Sequence, residues 1–179
     1  MTAFTSAFLN SLDIGLLLFI IASGLTIIFG VLGILNFAHG ALYMLGAYFA
    51  FTIVTHLALP FWLSLILAPL GVAVVAVVME RLLLWRVYDR HITFSLLLTF
   101  ALLLILDDAV RIIWGAGYQI VDPPALLQGT FTLLGAVYPV YSLFIIASGI
   151  AIGLGVWLLF SRTRIGKTVR AAAIDREMA

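Results

Sequence analysis

Residues 24–48, GLTIIFGVLGILNFAHGALYMLGAY, decide how this chain folds, because a short polar interruption divides two long apolar runs. The interruption is NFAHG, residues 36–40, which places an amide, an imidazole and a glycine among neighbours that are almost all apolar. Residues of this kind end a helix or break it. The role of the interruption therefore depends on the solvent that surrounds the two runs.

Composition identifies that solvent as a lipid bilayer. Of the 179 residues, 65% are apolar and only 9% are charged, which is too few to cover a water-soluble domain of this size. The formal net charge of +1 gives no indication of nucleic-acid binding. The sequence contains no cysteine, so disulfides, thiolate catalysis and cysteine-ligated metals are excluded.

Five apolar windows without Asp, Glu, Lys or Arg follow one another along the chain: 14–35, 41–59, 61–79, 92–106 and 138–160. A window of about 19 to 23 residues crosses a hydrocarbon core of about 30 Å. The fourth window is shorter and completes a span only if its helix continues to about Trp114. The predicted fold class is all-α: a polytopic transmembrane helix bundle of about five spans, forming a single transmembrane domain over residues 1–179.

The basic residues predict the orientation of this bundle, since positively charged loops stay on the cytoplasmic side. All of them except Arg111 fall in two segments that an alternating path of five spans places on the same side. These residues are Arg81, Arg86, Arg90, Arg162, Arg164, Lys167, Arg170 and Arg176. We expect the N-terminus outside and the C-terminus inside, with an irregular outer segment over 107–137 because Pro123-Pro124 disfavours a helix.

Carboxylates and histidines show no pattern typical of catalysis or metal binding. Asp107 and Asp108 are adjacent, and Arg111 lies four and three residues further on, which predicts a local ion pair on a helix. His39, His56 and His91 lie in different segments, so no metal site is predicted.

NFAHG has two interpretations within such a bundle. It is a cytoplasmic turn of a helical hairpin, or it is a broken helix at 36–40 whose second half begins near Gly40 or Ala41 inside the protein. Irregular backbone at membrane depth is tolerated only where protein or a water-filled cavity satisfies it. A helix N-terminus there offers amide donors to a carboxylate, and the imidazole of His39 adds a hydrogen bond.

Residues 24–48 resemble the signature of the permease subunits of branched-chain amino acid ABC importers. The shared motifs are Gly-Leu-Thr, Phe-Gly-Val-Leu-Gly, Asn-Phe-Ala-His-Gly and Tyr-Met-Leu-Gly-Ala-Tyr. The resemblance continues in Glu80-Arg81, in LLLTF at 96–100, in IIWG at 112–115 and in residues 162–179. It therefore covers essentially the whole chain.

The resemblance implies a multi-pass transport subunit of the bacterial inner membrane rather than an enzyme. It binds no cofactor itself, and ATP is hydrolysed on separate ABC ATPase subunits. Its other implied partners are a second related permease subunit, a periplasmic or extracellular substrate-binding protein and the lipid bilayer. The predicted substrate-path residues, taken from the broken-helix interpretation and its surroundings, are Asn36, Phe37, His39, Gly40 and Tyr43.

Two other functions stay open. Permeases for urea and short amides share much of the first signature, often with Met in place of Phe37. The family normally continues through about three more spans, so we also consider a truncated membrane remnant or scaffold that does not transport. Charged residues are absent from the five windows, which indicates that selection among substrates lies largely in the binding protein.

Residues 162–179 form a basic segment that follows the last apolar window. Taken alone, they are a basic flank that holds a span inside, followed by a short solvated helix. By resemblance they are the start of the cytoplasmic loop that places a helix in a groove of the ATPase. The predicted coupling contacts are Ala172, Asp175, Arg176 and Glu177, of which the first three lie near one helical face.

Replacing Ala172 with a bulky residue tests this placement. Because a small side chain allows the helix to dock closely, we expect the substitution in the complete transporter to uncouple ATP hydrolysis from uptake. ATPase rate and substrate uptake are measured on the same vesicles. Normal coupling would show that the docking helix lies elsewhere.

Overall fold

The computed structural model describes residues 2–33, 35–88, 90–133, 135–164 and 166–169. Within these residues the long elements are the helices α1 (Thr2–Leu32), α2 (Ala38–Phe51), α3 (Phe61–Leu82), α4 (Ile92–Trp114) and α5 (Val140–Arg162). Two short strands, β1 (Thr130–Leu133) and β2 (Ala136–Pro139), form an antiparallel hairpin before α5. Shorter turns of helix follow α2 at Thr52–His56 and α3 at Leu84–Val87.

In the part of the chain that the structure describes, four helical segments are long and apolar enough to cross a membrane. They are Ala3–Gly30, Ala38–His56, Phe61–Val87 and Val140–Arg162. The predicted helical membrane fold is thus confirmed. Helix α4 has 23 residues, and near its end Asp107 forms the predicted ion pair with Arg111 at 2.8 Å. The fifth span and the orientation of the bundle stay predictions.

Helix α1 begins at Thr2, well before the apolar window that starts at 14. Its 31 residues correspond to about 46 Å, which exceeds a hydrocarbon core of about 30 Å. The polar residues of the early turns are accommodated by the hairpin, because the buried Tyr138 hydroxyl donates a hydrogen bond to the Asn10 side chain. Leu9 packs against Tyr138 and Ile146 beside this bond. The helix therefore extends beyond the apolar window at its N-terminal end.

The hairpin is an addition to the predicted fold. It lies in the outer segment, where Pro123 and Pro124 do form irregular backbone as expected. Along β2, Ala136 and Tyr138 are buried while Val137 is exposed, which is the alternation of a strand with one covered face. Strands of four residues give too short a pattern to stand out among apolar runs.

The chain forms two compact units, Met1–Gly33 with Pro123–Ala179 and Ile34–Asp122. We call them the α1–α5 unit and the α2–α4 unit. In the α2–α4 unit, α2 and α4 run in the same direction, because Leu35 contacts Thr99 before the middle of α4 and Thr52 contacts Trp114 at its end. The single domain predicted over residues 1–179 stays a prediction.

Close packing of α1 on α5 generates a stability prediction. A Cβ atom added at Gly149 would lie 2.9 Å from Leu16 Cβ, whereas one added at Gly155 meets nothing within 4 Å. Alanine favours a helix over glycine by about 1 kcal/mol at both sites. Overpacking costs about 1–3 kcal/mol, so we expect Gly149→Ala to be less stable than Gly155→Ala by that amount.

Thermal unfolding of the two variants in detergent is the measurement, with the wild-type protein as reference. Gly155→Ala controls for the change in helix propensity. Equal melting temperatures for the two variants would contradict the close approach of α1 and α5.

Candidate functional site

The connection between α1 and α2 is a true interruption of helical structure. The Gly33 N–H still donates to the Phe29 carbonyl at 2.8 Å, but Gly33 has a φ of 60°, in the left-handed region that glycine adopts easily. Residues 35–37 are not helical, and α2 begins at Ala38. Of the motif residues 36–40, which the broken-helix interpretation took as the break, Asn36 and Phe37 are non-helical, while 38–40 belong to α2.

Asn36 holds the start of α2 from one residue before Phe37, the N-cap of this helix, and we call this contact capping. Its side-chain Oδ1 accepts a hydrogen bond from the Ala38 N–H at 3.0 Å, and its carbonyl accepts one from the His39 N–H at 3.1 Å. The helix starts two to three residues earlier than the Gly40 or Ala41 start that we expected. The two bonds occupy two of the amide donors that the sequence analysis assigned to a substrate carboxylate.

The break packs against the interior of α4 rather than against its end. Thr99 is fully buried, and its hydroxyl lies 3.3 Å from the Leu35 carbonyl, which has left the helical ladder. The ring of Phe37 meets that of Phe100 edge to face at 6.3 Å. Both contacts lie about two turns into α4. The broken helix and the cytoplasmic turn both stay predictions.

Helix α2 presents two different faces along its length. Ala38 is completely buried in a cluster whose other members are Met79, Leu84 and Leu102. Ala41 and Leu45 continue this buried face. Gly40, Tyr43 and Ala47 lie on the opposite face at helical spacing and are exposed, with Tyr43 exposing 52% of its surface. We call these three residues the open face of α2.

The five residues predicted on the substrate path differ in how exposed they are and in what they contact. Gly40 and Tyr43 share the open face, while His39 is half-buried at its border. Asn36 is engaged in capping, and Phe37 is 43% exposed although it contacts Phe100. The structure brings all of them to the first turns of α2.

A polar contact between the end of α3 and the turn that follows it was missed by the sequence analysis. The Tyr88 hydroxyl donates to the Glu80 carboxylate, and the Tyr88 ring packs on the cluster around Ala38. Burial raises the pKa of Tyr88, and the hydrogen bond to Glu80 raises it further. Tyr88 therefore stays protonated as a donor at physiological pH. The Glu80-Arg81 motif was the only sequence signal for this contact.

A second polar contact joins the turn after α2 to the C-terminal end of α4. The Trp114 indole N–H donates to Thr52 Oγ1 at 2.7 Å, and the Tyr48 ring lies 5.3 Å from that of Trp114. The turn that begins at Thr52 is π-helical. Beside it lies a groove of about 210 Å³, lined by Ala47, Tyr48, Phe51, Tyr118, Gln119 and Val121.

The proposed ATPase contacts Ala172, Asp175, Arg176 and Glu177 lie outside the described residues. Among those described, no group of three or more His, Asp or Glu side chains is positioned to hold a metal ion. The chemistry available at the break is hydrogen bonding and apolar contact.

Four helical segments long and apolar enough to cross a membrane, among the described residues, define the class of polytopic membrane proteins. Comparison with known families makes this specific: residues 7–179 match the permease component of the branched-chain amino acid transport system. The chain belongs to this family. Membership of this family, together with the apolar helices, agrees with the multi-pass membrane protein that the resemblance implied.

Curated relatives agree with this assignment. The chain is 28% identical over 182 residues to the high-affinity branched-chain amino acid transport system permease protein BraD of Pseudomonas aeruginosa, covering 94% of this chain and 59% of BraD. It is 25% identical over 190 residues to the corresponding permease protein LivH of Escherichia coli strain K12, covering 98% of this chain and 61% of LivH. The chain thus spans about three fifths of the length of these relatives. No solved structure matches it.

The capping role of Asn36 generates a further prediction. Replacing an Asn cap with Ala costs about 0.5–2 kcal/mol, so we expect Asn36→Ala to lower the free energy of unfolding by about 1 kcal/mol. Asn36→Ser keeps an acceptor oxygen near the Ala38 N–H and should retain most of the stability. Chemical unfolding in detergent micelles measures both variants. Indistinguishable losses would show that the side-chain oxygen does not stabilise α2.

Proposed function

We propose that this chain is the membrane-spanning permease subunit of an ATP-driven importer that translocates branched-chain amino acids across the bacterial inner membrane. The family match and the names of BraD and LivH support the substrate class. The observation that carries the proposal is the capped interruption at Asn36, which packs against the interior of α4 and is followed by the open face of α2.

The open face forms one wall of the substrate path in this proposal. It offers the hydroxyl of Tyr43 and, at its border, the imidazole of His39, together with amide donors of the first turn of α2. These groups bind a zwitterion by hydrogen bonds, and the helix N-terminus favours its carboxylate. Conduction requires weak binding that permits release, which neutral donors achieve more readily than a fixed charge.

ATP acts on other chains. The coupling helix formed by Ala172, Asp175, Arg176 and Glu177 docks on an ABC ATPase subunit, and a substrate-binding protein delivers the amino acid from outside. A second related permease subunit completes the path. Support for a mechanical link inside this chain comes from Tyr88, whose contacts join the loop after α3 to the Ala38 cluster at the start of α2.

Labelling with a thiol reagent tests the path, because the sequence contains no cysteine of its own. Gly40→Cys and Tyr43→Cys place thiols on the open face, and a Cβ at Gly40 meets nothing within 4 Å. Val74→Cys on α3 is the control, since Val74 is 64% exposed on an apolar surface that we expect to face lipid. The variants are made in the complete transporter and reconstituted in vesicles.

We expect a water-soluble maleimide to label positions 40 and 43 but not 74, and we expect leucine, supplied with binding protein and ATP, to slow labelling at 40 and 43. Labelling that leucine leaves unchanged at both sites would overturn the path. Protection by urea but not by leucine would overturn the amino-acid assignment and favour the short-amide permease. Absence of any uptake by the complete wild-type transporter would favour the non-transporting scaffold.

A further inference from the structure

The groove beside the turn Thr52–His56 in the α2–α4 unit has the size of a site for one small molecule. Its volume of about 210 Å³ is below the roughly 300–1,000 Å³ of pockets that hold drug-sized ligands. It is also well above the roughly 30 Å³ that one water molecule occupies. A single amino acid fits between these limits.

The walls of the groove match the chemistry of a neutral aliphatic amino acid. Tyr48, Phe51 and Val121 provide apolar surface. The Gln119 Nε2 group donates to the Trp114 carbonyl at 3.1 Å, which leaves the side-chain oxygen of Gln119 to accept from an ammonium group. That carbonyl lies at the C-terminus of α4, where the helix dipole also favours a positive charge.

The groove is held in shape by the contacts around Trp114. The rings of Tyr48 and Trp114 lie 5.3 Å apart, and the Trp114 indole is fixed by its hydrogen bond to Thr52. Preformed walls reduce the entropy lost when a ligand binds. These contacts fix the wall that α2 contributes, while Tyr118 and Gln119 on the other wall are exposed.

The groove is continuous with the proposed path. Ala47 lines the groove and is also the last residue of the open face, after Gly40 and Tyr43. Gly40 and Ala47 are separated by about 10 Å along the helix. A molecule leaving the groove along α2 would thus meet the start of the helix after about two turns.

We propose that this groove is an entry subsite of the permease, which receives the aliphatic side chain of a neutral amino acid against Tyr48 and Phe51 while Gln119 accepts a hydrogen bond from its ammonium group. The proposal rests on the proposed function and adds to it a place where the permease itself selects for side-chain size. Ala47 contributes the small surface that leaves room for a branched chain.

The test measures uptake of leucine and of alanine by the complete transporter in vesicles, with one binding protein throughout. Ala47→Phe fills the groove, and we expect it to lower the ratio of leucine to alanine uptake about tenfold, as the loss of space for one or more methylene groups does in apolar pockets. Ala73→Phe is the matched control, since Ala73 is exposed on α3 and is not part of the groove. It should leave the ratio unchanged.

A second variant enlarges the groove instead of filling it, and it tests the subsite even if Ala47→Phe fails to assemble. Phe51→Ala enlarges the groove, so we expect the ratio of phenylalanine to leucine uptake to rise several-fold. Unchanged ratios in the variants that assemble, with normal leucine uptake by the wild type, would overturn the subsite and leave the proposed function intact. Failure of the wild type to carry any amino acid would overturn both.

Discussion

Backbone groups that leave a helix need other hydrogen-bond partners, and this constraint governs the break before α2. Residues 35–37 lie outside the helices, so their carbonyl and amide groups lack helical partners. Asn36 supplies an acceptor for the Ala38 N–H, and the buried hydroxyl of Thr99 lies within reach of the Leu35 carbonyl. The interruption persists because nearby side chains replace the missing helical bonds.

These replacements also fix where α2 lies relative to α4. The contact of Leu35 with Thr99 holds one end of α2, and the bond between Thr52 and Trp114 holds the other. Because these two contacts lie at opposite ends of α2, they oppose both sliding of α2 along α4 and rotation of α2 about its own axis. The α2–α4 unit consequently keeps one face of α2 buried and leaves the opposite face open along its whole length.

Sequence patterns predicted the helices and the break because both depend on local composition. The first thirteen residues of the chain gave no signal for α1, and their contact through Asn10 is with Tyr138, which is distant in sequence and belongs to a hairpin too short to recognise. The groove beside Ala47 had no sequence signal, because its aromatic walls come from two separate segments that read as ordinary apolar residues. Capping by Asn36 was implicit in the motif, but the role considered for its residues was substrate contact.

The π-helical turn after Phe51 has a consequence for how α2 is wound. In an α-helix, residues five apart point about 140° away from each other, so the rings of Phe51 and His56 would not meet. The wider turn brings them together at 5.4 Å with their planes perpendicular. If this turn became α-helical, the two rings would separate and Phe51 would lose its contact with His56. The winding of the turn Thr52–His56 therefore sets where the Phe51 ring lies in the wall of the groove.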